Sequence, residues 1–113
     1  MRNGLEDGWE TRRYLVEVYV PGHDVGELKH LAARAARAAD ELERQGRSIR
    51  YLRSIFVPEE EMCFHLYSAG SIVDVREASE RAGVDPDRVA AAFEAEGSRY
   101  AAALRAPRGE ERT

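Results

Sequence analysis

The chain is poor in several residue types that mark specialised protein classes. It has a single cysteine, Cys63, so no disulfide can form within it, and one free thiol fits a reducing compartment. No apolar run approaches the ~20 residues that a membrane-spanning helix needs. Residues 1–13 lack the apolar stretch of a secretory leader. These absences predict a cytoplasmic protein with no membrane partner. Lysine is nearly missing: Lys29 stands alone among 17 basic residues, the rest being arginine. The net charge is −4, which argues against nucleic acid as a partner. No phosphate loop, nucleophile elbow or dinucleotide fingerprint occurs, so the common cofactor and hydrolase motifs do not apply.

What is present describes one small globular domain. The 113 residues are 43% hydrophobic and 34% charged, enough for a single modest core. Residues 1–12 read as a flexible arm, in which Trp9 is expected to pack back onto the body or onto a partner subunit. Arg13 to Val20 alternates like a strand, and Pro21-Gly22 ends it. Asp24 can cap a helix from Val25 to about Gln45, with Leu28, Leu31, Ala35, Ala38 and Leu42 as its apolar stripe and Gly46 as its stop. Ser48–Val57 and Met62–Tyr67 read as a hairpin across a solvated acidic turn, Glu59 to Glu61. Ser71 caps a second helix that buries Ile72, Val75, Ala78 and Ala82 and stops at Gly83.

The segment Asp87 to Glu96 carries conflicting signals. Asp85-Pro86 and the alanines favour a helix, whereas a strand over Arg88–Phe93 would pair an otherwise open edge of the first strand. Taking the strand gives an α+β, ferredoxin-like βαββαβ sandwich over residues 13–96, a four-stranded antiparallel sheet with two helices on one face. Residues 97–113 form a tail. Tyr100 and Leu104 suggest a short docked helical piece, and 107–113 suggest disorder.

Two helices on one sheet face leave the other face open, and an uncovered apolar face predicts a homodimer through the sheet. Sorting each strand by hydrophobicity sends Tyr14, Val16, Val18, Val20, Leu52, Phe56, Met62, Phe64 and Leu66 to the helices. The open face then receives Leu15, Glu17, Tyr19, Tyr51, Arg53, Ile55, Val57, Cys63, His65 and Tyr67. Glu17, Tyr19, Arg53, His65 and Tyr67 are accordingly the candidate ligand-binding residues. Cys63 and His65, two apart on a strand, share a face, and with Glu17 they form the best candidate metal set. His23 and His30 read as solvated, and Arg34, Arg37 and Arg44 as ion-paired along the first helix.

The order and spacing of several short words resemble a bacterial family. These are Arg13-Tyr14-Leu15-Val16-Glu17, Pro21-Gly22, Tyr51-Leu52-Arg53-Ser54 and Phe56-Val57-Pro58-Glu59. They continue with Glu61 through Ala69, Val75-Arg76-Glu77-Ala78, Arg81-Ala82-Gly83 and Asp87-Arg88-Val89. The family is a domain of unknown function named for nickel-binding members. The resemblance implies a dimeric ferredoxin-like sandwich and nickel as a cofactor. Members often have Cys where this chain has His65, and some have His where it has Ala78.

Three functions follow as expectations: binding of a metal ion or small ligand on the open face, a cofactor-independent cyclase or isomerase, or a structural interaction module. In the enzyme reading, His65 or Glu17 would act as general base, with Arg53 or Tyr19 stabilising an oxyanion. In the bland reading, Glu17 and Arg53 form an ion pair.

Overall fold

The computed structural model describes residues 11–95 and 97 of the chain. The readings for Trp9, Tyr100, Leu104 and residues 107–113 lie outside that span. β1 (Arg12–Tyr19) is followed by α1 (Val25–Arg44), β2 (Ile49–Val57), β3 (Met62–Ala69), α2 (Ile72–Arg81) and β4 (Arg88–Ala92). The strands form one antiparallel sheet in the order β2-β3-β1-β4, the ferredoxin-like arrangement.

Each helix starts where its capping chemistry predicts. Asp24 accepts from the Glu27 amide while the Glu27 carboxylate accepts from the Asp24 amide, both at 2.8 Å, which satisfies two orphan donors. Ser71 accepts from the Asp74 amide at the head of α2. Past the two helices, Gly46 and Gly83 hold φ of +92° and +75°, conformations that a side chain would strain. The stripe of α1 buries Leu28, Leu31, Ala35, Ala38, Ala39 and Leu42. Ala35 is wholly buried, so the helix backbone can lie close to the sheet.

The contested segment is a strand. Arg88–Ala92 pairs antiparallel with β1, Val89 opposite Val16 and Ala91 opposite Tyr14. The Asp87 amide donates to the Glu17 carbonyl, and the Asp87 carboxylate accepts from the Tyr19 amide. Pairing along the edge of β1 outweighs the helical preference of three alanines, which is at most about 0.7 kcal/mol per residue over alternatives such as Val.

Two strand phases differ from the hydrophobic sorting. On β1 the sorting holds: Tyr14, Val16, Val18 and the following Val20 are buried. Directly opposite on β3 stand Tyr67, His65 and Cys63, and opposed residues of an antiparallel pair share a face. Cys63, His65, Tyr67 and Ala69 are therefore the ones under the helices, and Met62, Phe64 and Leu66 face the open side. Hydrophobicity could not choose, because β3 is an inner strand with apolar residues on both faces. On β2 an irregularity between Tyr51 and Arg53 reverses the alternation at Leu52. Tyr51, expected on the open side, thus turns inward with Ile49, Ser54 and Phe56, while Arg53, Ile55 and Val57 face outward as expected, their partners being outward residues of β3.

Glu61 does more than lie in a solvated turn. At φ 54° it ends the turn Pro58–Glu60. Its carbonyl accepts from the Val20 amide at 2.7 Å and its carboxylate from the Gly22 amide at 3.0 Å, tying the hairpin to the β1–α1 loop. Arg34 likewise departs from the expected pairing within α1: its Nε donates to the Ala82 carbonyl at the end of α2. Arg47 clasps the other end, donating to Asp74 and Glu77.

Candidate functional site

Corrected phases split the candidate residues between two environments. Beneath the helices, Tyr51, Ser54, His65 and Cys63 form a polar chain in the core. The Tyr51 hydroxyl meets Ser54 Oγ at 2.5 Å, Ser54 Oγ meets His65 Nδ1 at 2.5 Å, and His65 Nε2 faces Cys63 Sγ at 3.7 Å. A neutral imidazole protonated on Nε2 satisfies this chain: Tyr51 donates to Ser54, Ser54 donates to Nδ1, and Nε2–H points at the sulfur. Burial favours that neutral state, pushing the His65 pKa down from 6.5 to about 4. Burial also raises the Cys63 thiol and pushes the Tyr67 phenol up to about 12. The Tyr51 and Tyr67 rings meet edge to face at 5.7 Å. These groups are held in un-ionised form by lack of water, which suits a core more than a reactive centre.

The open face carries Glu17, Tyr19 and Arg53. Four rows of side chains cross it, the first made by Arg50, Ser68, Arg13 and Ala92; the other three follow toward the hairpin end. Arg53, Leu66, Leu15 and Ala90 make one, Ile55, Phe64, Glu17 and Arg88 the next, and Val57, Met62 and Tyr19 the last. Tyr19 and Ile55 remain 53% and 56% exposed, large values for residues of a sheet. The charges pair differently from the expected Glu17–Arg53 bridge. Glu17 lies 3.5 Å from Arg88. Arg53 instead joins Arg13 on the carboxylate of Glu94, just beyond β4. The two arginines hold that carboxyl below the usual carboxylate range. Sequence reasoning missed Arg13, Glu94 and Arg88; their arrangement depends on β4 lying beside β1.

The candidate metal set does not converge. Cys63 and His65 face the helices while Glu17 faces the opposite side, so one ion cannot touch all three. Among the described residues, no group of three His, Cys, Asp or Glu side chains is placed to hold a metal. His23 and His30 are exposed, as expected, and line a surface cleft with Glu27, Leu31 and Arg34. Among the described residues no helix is long and apolar enough to cross a membrane.

The architecture defines a class: a small α+β sandwich of the ferredoxin-like kind, with an apolar sheet face that no described helix covers. A family model described as "Nickel responsive protein SCO4226-like" matches residues 14–91, and the chain belongs to that family. The crystal structure of SCO4226 from Streptomyces coelicolor A3(2) is similar in fold, with a TM-score of 0.60 at 18% sequence identity. That match covers 74% of this chain and 99% of the other. Among curated proteins there is no match. The nickel of the family description finds no fitting donor set among the described residues.

Proposed function

We propose that the chain works as a cytoplasmic homodimer, joined face to face through its open sheets, and binds a small ligand between them. The observation that carries this reading is the uncovered face itself. Leu15, Ile55, Val57, Met62, Phe64, Leu66 and Tyr19 occupy contiguous positions there, an apolar area that monomers rarely leave in water. A two-fold axis lets one self-complementary patch satisfy both copies. Glu17, Tyr19 and Arg53 supply the polar groups that would orient a ligand within such a seam. In the cyclase or isomerase reading, Glu17 would have to serve as the base, because His65 lies on the other side of the sheet.

Sedimentation velocity tests the reading. The wild-type chain is expected to run at twice its 12.7 kDa mass, and Ile55→Asp as a single copy that binds an apolar dye more strongly. A wild type that sediments as one copy at every concentration overturns the dimer. A dimer whose seam is dry and fully packed favours the structural module over the binding protein.

A further inference from the structure

We propose that Arg13 and Arg53 form a carboxylate clamp on the open face, and that Glu94 occupies it as a built-in, displaceable competitor. This deepens, and rests on, the reading of that face as a ligand surface. Arg13 belongs to β1 and Arg53 to the outer strand β2, with β3 between them. Both nevertheless reach one carboxylate, Arg13 Nε on Oε1 at 3.0 Å and Arg53 Nη1 on Oε2 at 2.5 Å. Two guanidinium groups thus share one carboxylate, one on each oxygen, through charge-assisted hydrogen bonds.

The parts differ in how firmly they are held. Arg13 is anchored by its strand and by a second bond, Nη1 donating to Ser68 Oγ at 3.2 Å. Arg53 stands on β2 opposite Leu66, at the start of a stretch paired with β3 through Val57. Glu94 lies two residues past Ala92, the last of β4, where the ladder has ended. The anion is thus the member that can leave. Exposed ion pairs are weak, so an incoming carboxylate faces a modest competitor.

Beside the clamp, Arg13, Ala91, Ala92, Phe93 and Glu94 line a cleft of about 320 Å³, at the small end of ligand pockets. The Phe93 ring at its rim is 85% exposed. The ligand class that fits is a monocarboxylate with a compact apolar body. Its carboxylate replaces that of Glu94, and its body lies in the cleft against Ala92 and Phe93.

Calorimetric titration of the full chain with 3-phenylpropionate tests the clamp, with 3-phenylpropanamide as the uncharged control. Glu94→Ala is expected to bind the acid about tenfold more tightly than wild type, because the competing state is removed. Adding Arg53→Gln should abolish the gain, and the amide should bind neither protein measurably. Circular dichroism checks folding, and Glu94→Gln is the second variant should the alanine form not fold. Equal affinities for wild type and the Glu94 variants overturn the proposal, as does amide binding as strong as that of the acid. Sedimentation of the same samples separates the two readings. A single-copy protein that still gains acid binding overturns the dimer alone, and a dimer without that gain overturns the clamp alone.

Discussion

His65 is buried among partners that can satisfy its neutral ring but cannot compensate its charge. Among the described residues no carboxylate meets either ring nitrogen; its contacts are a hydroxyl and a thiol. The folded pKa of about 4 therefore lies below the unfolded 6.5. As pH falls, the unfolded chain takes up the proton first, so stability is full above pH 6.5 and declines toward pH 4. That difference corresponds to about 3 kcal/mol at most. Urea denaturation at several pH values should show this loss for wild type, and a flatter profile over the same window for His65→Gln. Parallel profiles would assign the acid sensitivity to other groups. The sequence shows His65 as an ionisable residue in an apolar strand. It does not show which side of the strand is wet, since Phe64 and Leu66 compete with Cys63 and Tyr67 for the core.

At the scale of elements, α1 is held by small side chains. Ala35 is fully buried against the sheet, and Ala33, two positions away, is exposed on the same helix. Leucine is a good helix former, so Ala→Leu at either position leaves helix propensity almost unchanged and isolates packing. Ala35→Leu should cost about 1–3 kcal/mol by overpacking, and Ala33→Leu should stay within about 0.5 kcal/mol of wild type. Thermal unfolding measures both, and equal effects would contradict the close approach of α1 to the sheet. The caps at Asp24 and Ser71 were readable because capping is local chemistry among neighbours. The irregularity at Leu52 was not, because it is defined only against the register of β3.

For the whole molecule, a seam between open faces ties stability to concentration. If only the folded form dimerises, mass action makes the melting temperature rise with protein concentration. Wild type should show that rise over a hundredfold concentration range, and Ile55→Asp should not. A concentration-independent wild type would remove the seam, and with it the reason for so much apolar side chain on that face. The clasp of Arg47 on Asp74 and Glu77, and the reach of Arg34 to Ala82, join α1 and its C-terminal turn to α2 on the helical side of the sheet.

The helix caps, the turn residues and the first five elements were determined by the sequence alone, because each depends on residues a few positions apart; β4 needed the distant edge of β1. The open face was legible in outline because the βαββαβ order of the ferredoxin-like plan lays both helices on one side of the sheet. The tertiary structure decided which residues occupy that face. Facing is inherited from a partner strand, so β1 sets β3 and β3 sets β2, and one extra residue at Leu52 reverses all that precedes it. Through those pairings His65 moves into the core, Glu17 parts from it, and Arg53 meets Glu94. A chain read one residue at a time carries no record of such neighbours.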